Sequence, residues 1–201
     1  MRVETVQRTS KKFDQIVETS KKLFMRFGMK RITIEEICRK ANVSKMTFYK
    51  YFPNKIELVK YLWNAWADEG WEEIDTINAL NIPFTEKLRL MIAWKLKLLS
   101  EMSPEFIEEY VHFDPEFKDF LQQYKQRNIR SFTDCIISWQ KSGNVRPNIR
   151  PEFFIAVINK MQEMFDDDTL RKLYKDNVEF THELHNIFFY GIIPHDVAEQ
   201  K

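Results

Sequence analysis

Apolar residues in this sequence recur at i, i+3 and i+4 and seldom alternate, so the chain can bury them only as amphipathic helices. Glycine, which weakens helix interiors, occurs only four times in 201 residues. With 44% apolar and 30% charged residues, the chain can bury a core and remain soluble. An all-α fold of about nine helices follows.

Caps and breakers place those helices. Residues 1–10 read as a polar, basic arm. A first helix fits 11–28, with Ile16, Val17, Leu23, Phe24 and Phe27 on one face, Ser20 as a small residue among them, and Gly28 as its left-handed stop. A second begins at Thr33, whose pairing with Glu36 is the capping-box pattern, and turns Ile34, Ile37, Cys38 and Ala41 inward. Asn42 tolerates the left-handed turn that follows. Ser44 caps a short third helix that Phe52-Pro53 ends, and Asn54 with Glu57 opens a fourth that reaches about Ala79. Asn81-Ile82-Pro83 breaks the pattern. Later helices fit from Thr85, from Ser103-Pro104, from Asp114-Pro115 to about Lys141, over 151–165 and over 176–190. Ser142-Gly143-Asn144 reads as a turn, and Asp166-Asp167-Asp168 as a loop or cap cluster.

Net charge conceals an asymmetry. Residues 1–60 carry 15 Lys+Arg against 6 Asp+Glu, and the remaining 141 carry 16 against 24. A basic N-terminal segment joined to an acidic remainder suggests that one end meets a polyanion. Cys38 and Cys135, the only cysteines, lie in no metal-type spacing, which fits a reducing cytoplasm. The first residues hold no apolar signal core, and no apolar run approaches about 18 residues, so export and membrane spanning are not expected. Enzyme signatures are missing: His182 and His185 stand at i, i+3, not the i, i+4 of a zinc-protease helix, and there is no Gly-rich phosphate loop. No cofactor or metal is expected.

The stretch 32–59, ITIEEICRKANVSKMTFYKYFPNKIELV, carries the function. Two short helices joined by a three- to four-residue turn match a helix-turn-helix, whose second helix presents its N-terminal end to the major groove. That end offers Ser44, Lys45, Met46 and Thr47, followed by Tyr49, Lys50 and Tyr51, groups that hydrogen-bond to phosphates and base edges. Together, LFMRFG at 23–28, TIEEICRKANVSKMTFYKYF at 33–52 and NKIEL at 54–58 resemble the TetR family of bacterial transcriptional regulators over about 50 residues. Asn42 stands where the family has a turn glycine, Cys38 where it has alanine, and Met46 where a small groove-facing residue is common.

The resemblance implies an N-terminal three-helix DNA-binding domain, residues 1–53, and a larger helical effector-binding and dimerisation domain, residues 54–201. It implies base or phosphate contacts for Lys45 and Thr47, backbone contacts for Thr33, Tyr49 and Tyr51, and a phosphate grip for Lys55, while Phe48 and Phe52 pack. A repressor follows that binds a palindromic operator as a homodimer and is released by a small apolar or amphipathic effector. The alternative is a DNA-binding regulator controlled by a protein partner. Composition offers Trp63, Trp66, Met91, Trp94, Tyr110, Phe113, Phe132 and Trp139 as pocket candidates. Phe154, Val157, Ile158, Met161, Phe165, Phe180, Leu184, Ile187 and Phe188 exceed one amphipathic stripe and would bury well in a four-helix dimer contact.

Overall fold

The computed structural model describes residues 10–111, 117–164 and 167–190. The described residues form ten α-helices and no strand: α1 (Lys11–Phe27), α2 (Ile34–Ala41), α3 (Lys45–Tyr51), α4 (Lys55–Ala79), α5 (Phe84–Ser100), α6 (Pro104–Val111), α7 (Lys118–Lys141), α8 (Pro151–Met164), α9 (Asp168–Arg171) and α10 (Asn177–Tyr190). The count exceeds the expected nine by the single-turn α9. There the aspartate cluster acts as a cap: Asp167 accepts from the amides of Thr169 and Leu170, at 2.8 and 3.3 Å. The basic arm before residue 10, the Asp114-Pro115 helix start, Phe113 and Phe165 lie outside the described residues. None of the helices described is long and apolar enough to cross a membrane.

The chain divides into two compact units, one of residues up to 72 with 100–120, the other of 73–99 with 121–201. The first holds α1–α3, most of α4, and α6. Phe13, Ile16, Leu23 and Phe24 of α1 are buried, and Ser20 is buried among them. Phe13 stacks on Phe52 at 5.4 Å and meets Tyr51 and Tyr61 edge-on, so an aromatic knot ties α1 to the end of α3 and the start of α4. The two buried rings, Phe13 and Phe52, each contribute roughly 1.5–3 kcal/mol by burial. Gly28 stops α1 at φ 79° and ψ 159°, a glycine-only extended conformation and not the left-handed helical cap that the sequence suggests. Asn42 does adopt the left-handed conformation, at φ 53° and ψ 48°.

In the second unit Leu88, Ile136, Trp139, Val145, Phe154 and Phe188 form the core. Asn78 is its polar hub. Its side-chain oxygen accepts from the Trp139 indole at 3.0 Å, and its carbonyl accepts from Lys87 at 2.6 Å. Burial pushes the Cys135 thiol beside it up to about 11, which leaves that thiol protonated and unreactive. Gln140 donates to the carbonyls of Arg146 and Ile149, fixing the turn before α8. Asp176 accepts from the amides of Val178 and Glu179, both at 2.9 Å, and starts α10.

Candidate nucleic-acid interface

Local capping sets α3. The Ser44 hydroxyl accepts from the Thr47 amide at 3.1 Å, which satisfies an orphan donor of α3. Phe48 is fully buried and meets Phe52 at 5.9 Å, anchoring α3 by its inner face. The opposite face is open. Ser44, Lys45, Met46, Tyr49 and Lys50 are exposed, with Met46 at 81%, an exposure that leaves a large apolar side chain without a packing partner among the described residues. Thr47 is half-buried. Tyr51 is half-buried too, its hydroxyl hydrogen-bonded to Ser10. Thr33, also exposed, caps α2 by accepting from the Glu36 amide at 3.2 Å.

Two glutamates that the sequence reading left out shape this surface. Glu35, at the start of α2, holds the Lys45 ammonium in a salt bridge. That hydrogen bond lowers the Glu35 carboxyl below its ordinary range and raises Lys45 above its own. Both groups are exposed, so the pair adds little to stability. Glu109, on α6, binds the turn after α1. Its carboxylate accepts from the amides of Met29 and Lys30, the latter at 3.1 Å.

Lys55 lies on the other side of that turn. Its ammonium donates to the carbonyls of Met29, Lys30 and Ile32, at 3.0, 3.2 and 3.0 Å. An ammonium has three donors, and all three are engaged. Burial pulls the Lys55 pKa below the ordinary lysine value, against the pull of Glu109. Lys55 therefore clamps the turn from behind, and a phosphate grip would require release of a carbonyl. Neither glutamate announces itself in the sequence: Glu109 lies 80 positions from Met29, and Glu35 stands outside the Thr33–Glu36 capping pattern.

The pocket candidates divide. Trp63 and Trp139 are buried. Trp66 is half-buried, meets Phe106 edge-on at 5.3 Å, and keeps its indole N–H without an acceptor among the described residues. Met91, Trp94 and Phe132 are half-buried, Met91 and Phe132 against the core of the second unit. The Tyr110 side chain and Phe113 lie outside what is described. Of the dimer candidates, Phe154, Phe180, Leu184 and Phe188 are already buried within the chain and leave little surface for another copy. Val157, Ile158 and Met161 are half-buried against the same core. The open apolar positions on α8 and α10 are Phe153 at 65% and Ile187 at 68%. His182 and His185 take separate partners: Asn186 at 3.2 Å for the first, the Thr181 carbonyl for the second.

Residues 16–62 match the family described as bacterial regulatory proteins, tetR family. The chain is 28% identical over 130 residues to the HTH-type transcriptional regulator TtgR of Pseudomonas putida, a match covering 60% of this chain and 59% of that protein's length. It is 26% identical over 149 residues to the HTH-type transcriptional regulator YhgD of Bacillus subtilis, covering 73% and 78%. Its fold superposes on the regulatory protein TetR of Rhodobacter sphaeroides with a TM-score of 0.69 at 16% identity, covering 92% of this chain and all of that one.

Proposed function

Because the chain belongs to the TetR family of bacterial transcriptional regulators, whose members are not enzymes, we propose that it is a cytoplasmic repressor that binds a palindromic operator as a homodimer and lets go when a small effector enters its larger helical unit. The observation that carries the DNA-binding reading is α3: an outer face of Lys45, Met46, Tyr49 and Lys50 stands open while Phe48 and the Ser44 cap fix the helix from within. In this reading Lys45, Met46 and Thr47 meet base edges. Tyr49, Lys50 and Tyr51 meet phosphates, and the α2 terminus capped by Thr33 meets the backbone. Residues 1–53 serve as the reading head and 54–201 hold the effector and the dimer contact. Half-buried Met91, Trp94 and Phe132 offer pocket wall.

Dimerisation would use α8 and α10, with Phe153 and Ile187 as its newly buried apolar groups. Two heads spaced about 34–36 Å apart reach successive major grooves. An effector that favours another spacing by about 1–3 kcal/mol suffices to shed DNA. Within the unit that holds the head, Glu109 of α6 grips the turn after α1.

Selection of genomic fragments with the purified protein, then titration of the selected duplex, tests this. Lys45→Ala is expected to change the preference among sites. Lys50→Ala is expected to weaken all sites alike and to reduce the salt dependence by about 0.9 in slope, the value for one phosphate contact. No salt-sensitive affinity for any duplex, or a Lys45→Ala protein with unchanged affinity and preference, would sink the reading.

A further inference from the structure

Lysine charge is handled differently at the two ends of α3. Lys45 opens the helix, and its ammonium is bonded to the carboxylate of Glu35, on the first turn of α2. Lys50 lies on the last turn, and its ammonium faces the Tyr51 ring at 5.9 Å, in no ion pair among the described residues. The Lys45 and Glu35 side chains are 55% and 61% exposed. An ion pair so open to water adds little to the fold. What it changes is what Lys45 can offer to DNA.

A duplex presents two kinds of acceptor. Phosphate oxygens carry negative charge, whereas acceptors on base edges in the major groove, such as guanine O6 and N7, are neutral. An ammonium has three donors, so Lys45 can keep Glu35 by one and give another to a base edge. A phosphate in the same place would stand beside the carboxylate, like charge against like, and its attraction to the lysine would be largely cancelled. Met46 follows Lys45, 81% exposed, and its apolar side chain has nothing to donate to a phosphate. Two successive residues at this end of α3 thus suit neutral base edges, while the exposed Tyr49 and Lys50 further along suit phosphates.

We propose that Glu35 is a specificity-determining residue: its carboxylate withholds the Lys45 ammonium from phosphates and leaves it to neutral acceptors on base edges. The proposal rests on the DNA-binding reading above and adds an acidic residue that the reading does not use. Removal of the carboxylate strengthens binding to DNA of any sequence and blunts the preference for the operator. A residue that served only the fold would give no such gain.

Anisotropy titrations of the full chain test this with two duplexes, the one recovered by genomic selection and a random-sequence duplex of the same length, each over a range of salt. Glu35→Gln is expected to bind the random duplex about fivefold more tightly and to steepen the dependence of log affinity on log salt by about 0.9, one phosphate contact more. The ratio of operator to random affinity should fall by at least about threefold. Glu36→Gln removes the same charge one residue along, from a carboxylate that pairs with no lysine among the described residues, and should change either affinity by less than about twofold. In a Lys45→Met background, Glu35→Gln should no longer alter the salt dependence, since no ammonium is left to release. Unchanged random-duplex binding in Glu35→Gln, an equal effect of Glu36→Gln, or a slope change that survives Lys45→Met overturns the proposal. Salt-sensitive binding of the selected duplex by the wild-type protein keeps the DNA-binding reading standing in each of those cases. If the wild-type protein binds neither duplex, both fall.

Discussion

Two lysines in this molecule are bonded differently: Lys55, half-buried beside the helix-turn-helix, and Lys95, exposed on α5. Lys55 has a carbonyl for every N–H, and Glu109 grips the amides of the same turn. Lys95 has one neutral imidazole, that of His185, and no carboxylate. Burial disfavours the charge at Lys55. A fully bonded charge is part of the scaffold, and replacing it leaves other groups stranded. A partly bonded, exposed one leaves nothing stranded when it is replaced, because water serves its remaining donors.

The largest effect expected from this contrast is at the bonded site. Lys55→Met should destabilise the folded chain by about 4 kcal/mol, because three carbonyls lose charge-assisted bonds at once. Urea unfolding followed by circular dichroism measures it, and a loss near zero would mean that water replaces the ammonium freely. Next comes acid. His185 is depressed from 6.5 to about 4, first by desolvation and then by Lys95. The unfolded chain therefore takes up a proton that the folded chain refuses. Stability is complete above pH 6.5 and declines as pH falls toward 4, by up to about 3 kcal/mol. His185→Gln should flatten that part of the stability–pH curve; an unchanged slope would assign the loss to other groups.

The clamp at the head offers a third effect. A Cβ at Gly28 would lie 2.9 Å from Oε1 of Glu109, and the backbone there has φ 79°. The glutamate could swing aside, but only by giving up the Met29 and Lys30 amides. Gly28→Ala is expected to cost about 2 kcal/mol, strain and lost bonds together. Combining it with Glu109→Gln should cost less than the sum of the two, since both act on one carboxylate. Strict additivity in that double-mutant cycle would disconnect α6 from the turn.

How far the sequence could be read follows from the span of each interaction. Thr33 with Glu36, Ser44 with Thr47 and Asn54 with Glu57 are contacts three residues long, so their residue types alone locate α2, α3 and α4. The periodic burial of Ile16, Ser20, Leu23 and Phe24 is legible for the same reason. Gly28 was legible as a stop but not as an extended one, because its conformation is set with Glu109 from α6. The partners of Met29 and Lys95 lie 80 and 90 positions away, and no local pattern encodes them. Apolar composition likewise marked α8 and α10 as rich in large side chains, yet could not tell the inward Phe154 from the outward Phe153 beside it.

The smallest expected effect is the most informative, because its sign is at stake. Lys95→Met removes a charge that one imidazole holds and no carboxylate neutralises. The methionine keeps the length and the apolar stem of the lysine, so packing against the face shared with Met91 is conserved. His185 loses the proton that its Nε2 accepts, a cost of about 1 kcal/mol. Against this stand relief of the desolvation at Lys95 and of the positive charge that opposes protonation of His185. Because Lys95 is exposed, water offsets most of both effects, and the net change should lie within about 0.5 kcal/mol of zero, well short of the loss at Lys55. The midpoint of the His185 acid transition should move upward in the same variant. A loss approaching that at Lys55 would show Lys95 to be scaffold, and the distinction between the two lysines would disappear.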